Sequence, residues 1–211
     1  MDHTETPADP PSDHRVRLLQ AMAKVATAKG LGNATIADLV REAGVSKRTF
    51  YEHFDSKEAC FLALYRAASA SALKTLREAV QPDRPWQAQV EHALTAYLAH
   101  LERGTGLIRT LFVEIHHLGV AGLAVRREVM QKLADFLCET VNSGAPSDAQ
   151  GAKPALSSAM ALAAVGGINE LILAAVERNE TERLTELAPC AGDVVRSLTC
   201  AHAGERLEPA R

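Results

Sequence analysis

Apolar residues recur at helical spacing along almost the whole 211-residue chain, and short clusters of Gly, Pro and Asn separate the periodic stretches. In the first stretch Leu18, Met22 and Val25 fall on one helical face, and Gly30 and Gly32 mark its end. No stretch shows the sustained apolar–polar alternation of a half-buried strand. Aromatic residues make up only 4% of the chain, which favours closely packed helices over a β-sandwich. We therefore predict an all-α fold with about nine helices.

Capping residues predict where the first four helices begin and end. Thr35 and Asp38 have the spacing of a capping box before a short second helix, which Gly44 would end in the left-handed conformation. Ser46 can cap a third short helix over about 47–53, and Ser56 starts a long fourth helix that reaches about residue 80. Five further helices are predicted at about 86–102, 106–118, 122–141, 154–178 and 182–201.

The net charge of −3 conceals an uneven distribution. Residues 1–13 contain four acids and no Lys or Arg, whereas residues 14–57 contain eight Lys and Arg residues and four acids. The rest of the chain is mildly acidic. A small positive unit on an acidic body indicates a local surface for a polyanion, although four excess charges could equally be a solvated face.

The cysteines and the apolar segments indicate the cellular compartment in which the protein is found. The first 13 residues have neither the basic start nor the apolar run of a signal peptide. The apolar run over about 160–176 is shorter than the ~20 residues of a membrane span and contains Asn169 and Glu170. We therefore expect a cytoplasmic protein with no membrane contact and no cofactor. The four cysteines are scattered and contain no CxxC pair, so we predict that they are reduced thiols: Cys60, Cys138, Cys190 and Cys200.

Two short helices joined by Ala43-Gly44-Val45-Ser46 are typical of a helix-turn-helix. In such a motif the first helix braces the second, and the second presents its outer face to base edges in the major groove of DNA. Phe50 is expected to point inward. Lys and Arg side chains on the outer face can donate to guanine, and Thr can meet a thymine methyl group or a phosphate.

The candidate DNA contacts follow from that geometry. On the outer face of the third helix lie Lys47, Arg48, Thr49 and Tyr51. The side chains of Tyr51, His53 and Lys57 can donate to phosphate oxygens. The alternative is a plain αα-corner, in which the aromatic residues support the core and the cations are solvated.

Residues 35–58 resemble the DNA-binding signature of the tetracycline-repressor (TetR) family. The resemblance rests on the turn at 43–46, the Tyr-x-His-Phe segment at 51–54 and the Ser-Lys-Glu segment at 56–58, and it covers about residues 14–65. It implies a homodimeric transcription regulator, by the family's usual mode a repressor, with a small-molecule pocket in its helical body. By position it implies phosphate contacts from Thr35, Tyr51, His53 and Lys57 and base contacts from Ser46, Lys47, Arg48 and Thr49. Val40 and Phe50 depart mildly from the family, which usually has Ala and Leu there.

These observations divide the chain into four segments. Residues 1–13 are predicted to be a disordered acidic tail, and residues 14–57 the helix-turn-helix DNA-binding domain. Residues 58–203 are predicted to form the ligand-binding and dimerisation domain, followed by a flexible tail at 204–211.

The stretch 156–176 is apolar on nearly every side, so it must be buried on every side. Its own domain can cover one face, and a second copy of the chain would cover the other. The resemblance agrees, because the family's last two long helices form a four-helix dimer interface, here about 154–178 and 182–201. The alternative is a central core helix in a monomer. A dimer would hold two recognition helices ~34–36 Å apart and bind a near-palindromic operator in double-stranded DNA.

Helices between about residues 56 and 141 are expected to enclose a pocket for a small apolar or amphipathic effector. Each candidate could equally be a core residue. The adjacent His116 and His117 point ~100° apart on a helix, so we predict no metal site. The candidate ligand contacts are Tyr97, Leu101, Phe112, Ile115, His116, Met130, Leu133 and Asn169.

Two other functional classes stay open as alternatives. One is a helical ligand-binding or interaction module that does not bind DNA. The other is a metal-dependent enzyme, which is disfavoured because the sequence has no nucleophile elbow, phosphate-binding Gly-rich loop or HExxH motif. We therefore expect a regulator and not an enzyme.

Overall fold

The computed structural model describes residues 11–143 and 155–203. Within them, nine α-helices and no strand are found, which confirms the predicted all-α fold. The helices are α1 (Pro11–Asn33), α2 (Ile36–Ala43), α3 (Lys47–His53), α4 (Lys57–Ala79), α5 (Trp86–Glu102), α6 (Thr105–His117), α7 (Gly119–Ser143), α8 (Ser158–Glu177) and α9 (Ala188–Ala203). Residues 11–13 form the first turn of α1, and the rest of the predicted acidic tail and the tail at 204–211 lie outside the described residues.

The N-terminal unit is shaped by its caps. Gly30 has φ 78° and ψ 156° and breaks the regular helix of α1 at the predicted position. At the start of α2 the amide of Asp38 donates to the Thr35 hydroxyl (3.2 Å) and the Thr35 amide donates to the Asp38 carboxylate (3.0 Å), so the predicted capping box is confirmed. Gly44 ends α2 in the left-handed conformation, with φ 64° and ψ 37°.

A separate core holds this N-terminal unit together. Leu18 and Met22 of α1, Leu39 of α2, Phe50 of α3 and Phe61 of α4 are all completely buried in one cluster. Because α4 contributes to this cluster and also runs on into the larger domain, it connects the two parts of the chain.

The larger domain packs around α5. Its core joins residues of α5, α6, α7, α8 and α9, with Leu98, Val141, Ile172 and Val195 at 0–1% exposure. Trp86, at the start of α5, is also buried there, as an anchor at a helix start.

The helix α8 is the one in the described residues that is long and apolar enough to span a membrane by length and composition. A buried core helix meets the same criterion, and 39% of its apolar window is buried within the chain. Ile168, Ile172 and Val176 face the domain core, whereas Leu162 on another side is 38% exposed. The described residues thus cover one face of α8 and leave the other available.

Two helix boundaries differ from those predicted. The helix predicted over 182–201 is divided into a 3₁₀ segment, Thr181–Leu187, and α9. Arg183 leaves the helical region at φ −131°, and Pro189 cannot donate the hydrogen bond that would join the two segments. At α8, Ser157 provides the N-cap by accepting from the Met160 amide (3.3 Å), so this helix starts later than predicted. The predicted start at residue 154 lies outside the described residues.

Candidate functional site

The outer face of α3 is open to solvent. Phe50 is fully buried on the inner side of this helix, whereas Lys47 and Arg48 are exposed. The Arg48 side chain is 90% exposed, and its guanidinium contacts Glu52 at 3.1 Å. A surface ion pair of this kind holds the side chain weakly, so a nucleic acid can displace it.

Ser46 and Thr49 form the N-cap of α3. The Thr49 amide donates to the Ser46 hydroxyl (3.0 Å), and the two hydroxyl oxygens are 2.9 Å apart. Ser46 is exposed and Thr49 half-buried. Their predicted base contacts therefore start from side chains that already stabilise the helix end.

Aromatic side chains lie in the last turn of α3. Tyr51 is 56% exposed and stacks edge-on against Phe50, with 5.5 Å between the ring centroids. His53 is half-buried and lies 6.4 Å from the His14 ring of α1. Both side chains lie on α3 beyond the exposed cations, and their phosphate contacts stay a prediction.

Thr35 and Asp38 form a local polar cluster at the start of α2. The Asp38 carboxylate accepts hydrogen bonds from Lys29 and from the hydroxyl and amide of Thr35. These bonds, that from Lys29 foremost, hold the pKa of Asp38 well below its usual value. The Thr35 hydroxyl and amide therefore both donate to Asp38, and the predicted phosphate contact requires one of these two donors to leave that carboxylate.

Lys57 occupies a different position from the one that the sequence predicts. Its ammonium donates to the carbonyl oxygens of Leu31 (2.9 Å), Gly32 (3.1 Å) and Ala34 (2.9 Å). An ammonium group has three donors, and all three are used. The contact with phosphate is therefore corrected here to an internal role: Lys57 holds the end of α1 against the start of α4.

Two adjoining cavities lie inside the larger domain. The inner cavity, between α4, α5, α7 and α8, has a volume of about 50 Å³. The outer cavity, between α4, α5, α6 and α7, has a volume of about 220 Å³. Both are lined by Tyr97, Leu133 and Asn169.

Six of the eight predicted ligand contacts line these cavities: Tyr97, Leu101, Phe112, Met130, Leu133 and Asn169. The other two need correction. Ile115 is 1% exposed and is packed in the core, and His116 is exposed to solvent. Neither lines a cavity, since both lie about one helical turn beyond Leu111 and Phe112, past the part of α6 that forms the wall.

Sequence reasoning missed Tyr65 of α4 and His100 of α5, which also line the outer cavity. Burial raises the pKa of Tyr65 and of Tyr97 and, together with Arg103, lowers that of His100. Helical spacing was the available signal, since Tyr65 lies three residues before Ala68 and His100 three residues after Tyr97, but it does not separate a cavity wall from a packed core.

Two polar groups of the cavities have no hydrogen-bond partner in the part of the protein that the structure describes. Within the described residues neither the Tyr97 hydroxyl nor the Asn169 amide makes a hydrogen bond to another side chain or to the backbone. A ligand in the cavities can therefore satisfy both groups.

A chain of hydrogen bonds joins the cavity wall to the N-terminal unit. Leu111 and Phe112 of α6 line the outer cavity, and Glu114 on the same helix accepts from the Leu31 amide at 3.0 Å. The carbonyl of Leu31 in turn accepts from Lys57. Leu31 is thus tied both to the cavity helix α6 and to the first turn of α4.

Within the described parts of the chain, no group of three or more His, Cys, Asp or Glu residues is placed to hold a metal ion. His117 contacts Glu114 at 3.5 Å, and His116 is not part of that pair.

Comparison with known proteins agrees with this architecture. Residues 18–64 match the sequence model of the tetR family of bacterial regulatory proteins. The nucleoid occlusion factor SlmA of Marinomonas sp. (strain MWYL1) is 30% identical over 100 residues, which cover 47% of this chain and 51% of SlmA. The HTH-type transcriptional regulator YvdT of Bacillus subtilis (strain 168) is 44% identical over 48 residues, or 23% of this chain and 25% of YvdT. The chain thus spans about half the length, or less, of these relatives.

Similarity in structure extends over most of the chain. FadR from Bacillus subtilis, solved in complex with stearoyl-CoA, superposes with a TM-score of 0.72 over 85% of this chain and 96% of FadR, at 15% sequence identity. At that identity the similarity shows a common fold. The sequence model that matches the N-terminal segment is that of a family of bacterial regulatory proteins. Residues 18–64 are thus similar to the N-terminal segment of tetR-type regulatory proteins, and the chain as a whole has a TetR-like helical fold.

Proposed function

We propose that the protein is a cytoplasmic transcriptional repressor that binds a palindromic operator as a homodimer and is released by a small apolar or amphipathic effector. The observation that carries the proposal is the exposed pair Lys47 and Arg48 on a helix that Phe50 anchors from behind. Two cations on a short, braced helix fit the major groove, where each can donate to guanine.

The uncovered face of α8 supports a homodimer. Its outward side includes Leu162, which is 38% exposed, and the half-buried Gly166, where an added Cβ would meet no neighbouring atom. Small residues allow a second helix to approach closely, and apolar area removed from water stabilises the contact. With α9 beside it, α8 can form a four-helix interface with the same surface of another copy.

The cavities support control by an effector. Their walls belong to α4 and α6, and both helices are hydrogen-bonded to Leu31 in the N-terminal unit. A ligand that favours one arrangement of α6 over another would change the relative position of α3 in the two subunits. The stearoyl-CoA bound by FadR shows that a protein of this fold can hold an amphipathic molecule.

The test is selection of bound duplexes from a genomic library with the purified chain, followed by titration of the selected duplex. We expect a near-palindrome with half-sites about one helical turn apart and, by light scattering, a dimer. The double variant Lys47→Ala, Arg48→Ala should weaken binding at least about 100-fold, since each base contact contributes ~1–3 kcal/mol in each subunit.

A charge-matched control separates base contact from loss of net charge. Arg127 and Arg183 are both exposed on the larger domain, and the double variant Arg127→Ala, Arg183→Ala removes the same charge there. We expect it to bind the operator as the unchanged protein does. Equal binding by the Lys47, Arg48 variant, or no enriched palindrome, contradicts the proposal and favours a helical module that does not bind DNA.

A further inference from the structure

A third space lies on the surface next to the two cavities. It is a groove of about 330 Å³ between α4 and α7, and we call it the cationic groove. It shares Ser69, Val129 and Leu133 with the outer cavity, and Leu133 also lines the inner one. The three spaces therefore meet around one half-buried side chain, Leu133.

The groove and the cavities differ sharply in charge. Four cations line the groove: Arg66, Lys74, Arg77 and Lys132. By contrast, neither cavity is lined by an acidic residue, a lysine or an arginine. The only titratable group other than tyrosine there is His100, and burial favours its neutral form by lowering its pKa.

Two acidic residues accompany the four cations, Glu78 in the wall of the groove and Glu128 beside it, and they leave an excess of two positive charges. Glu128 accepts from both Arg66 (3.0 Å) and Lys132 (2.7 Å). Glu78 lies 3.7 Å from Lys74, a long contact between exposed groups. Within the described residues Arg77 has no carboxylate partner, so Lys74 and Arg77 can bind an added anion.

We infer that the effector is an anionic amphiphile: its unbranched apolar chain enters the cavities past Leu133, and its carboxylate or phosphate head is held by Lys74 and Arg77. The inference deepens the proposed function and rests on it for its regulatory meaning. An uncharged cavity accepts an apolar chain, and burying the charged head there is unfavourable, so the head stays at the entrance. Tyr97 and Asn169 are the polar groups that the chain passes.

The volumes agree with such a ligand. The two cavities together lie just below the roughly 300–1,000 Å³ of typical small-molecule sites, and with the groove the site falls inside that range. A long chain with a compact head uses all three spaces, whereas a rigid ring system would have to displace Leu133.

The experiment is calorimetric titration of the full chain with dodecanoate, dodecyl phosphate and dodecanol, each below its micelle concentration. We expect both anionic probes to bind at least about tenfold more tightly than dodecanol, which corresponds to roughly one charge-assisted hydrogen bond. The variant Lys74→Gln, Arg77→Gln should remove that advantage and leave dodecanol binding unchanged. The ratio between the two anionic probes distinguishes a carboxylate from a phosphate head.

The control variant Arg127→Gln, Arg183→Gln should keep the preference for anionic probes, because both residues lie outside the cationic groove. The inference is overturned by equal binding of dodecanol and the anions, by no binding of any probe, or by an unchanged preference in the Lys74, Arg77 variant. Operator binding is measured in the same preparations. Its absence beside intact probe binding contradicts the proposed function alone, and the reverse result contradicts this inference alone.

Discussion

Substitution of Lys57 by methionine separates the role that the structure gives this residue from the role that the sequence predicts. The ammonium of Lys57 bonds to three backbone carbonyl groups, and those of Leu31 and Ala34 are partly buried. Lys57→Met keeps the aliphatic part of the side chain and removes all three donors. The two partly buried carbonyl groups then lose their partner.

The size of the effect follows from those contacts. At about 1 kcal/mol for each partly buried acceptor, the free energy of unfolding should fall by about 2 kcal/mol. For a chain of this length that lowers Tm by about 4–8 °C, as differential scanning calorimetry would measure. The third carbonyl, of Gly32, is exposed and can bond to water.

The salt dependence of operator binding tests the alternative, which is the phosphate contact that the sequence predicts for Lys57. A lysine that contacts phosphate adds about one to the slope of log K against log salt, or about two for two subunits. If Lys57 is internal, Lys57→Met leaves the slope unchanged. The matched control is Lys47→Met on the exposed face of α3, which should weaken operator binding and leave Tm unchanged. A lower slope with an unchanged Tm in Lys57→Met refutes the internal role.

Three further predictions follow from local structure. Gly44→Ala should lower the free energy of unfolding by ~1–2 kcal/mol in denaturant titrations, because φ is 64° there and an added Cβ meets no neighbouring atom, so the cost is conformational. The lowered pKa of Asp38 stabilises the fold above the ordinary carboxyl pKa of ~3.9, and this contribution is lost as the pH falls below it. In the Asp38→Asn variant the free energy of unfolding should therefore fall less steeply between about pH 5 and pH 3 than in the unchanged protein. An equal pH dependence in the two proteins contradicts the stabilising role of the Asp38 carboxylate. Burial raises the pKa of Cys60 to about 12, so a thiol reagent at neutral pH should label exposed Cys190 and reach Cys60 only after unfolding, as peptide mass spectrometry would show.

Local sequence rules predicted the N-terminal unit closely. The ends of α2 and α3 depend on Thr35, Asp38, Gly44 and Ser46, whose capping hydrogen bonds all join residues within four positions of each other. Such contacts can be inferred from spacing alone. The exposure of Lys47 and Arg48 opposite buried Phe50 follows from the same short-range periodicity.

The errors arose where the partner is distant in sequence. Lys57 bonds to carbonyl groups 23 to 26 residues away, and no local sequence pattern predicts a contact over that separation. His116 was predicted to line the pocket, but it is exposed to solvent, and the sequence of α6 does not show how far along this helix the cavity extends. The division of the last predicted helix could have been predicted from the sequence, since Pro189 interrupts its hydrogen bonds.

By itself the sequence determined that the chain is helical, where its first helices end and which face of α3 meets solvent, because each depends on residues within one or two helical turns. Only the tertiary structure decided that Leu133 joins a cationic groove to two uncharged cavities and that Leu31 ties α6 to α4. Those arrangements depend on how helices far apart in the chain pack, and many packings satisfy the same pattern of apolar residues.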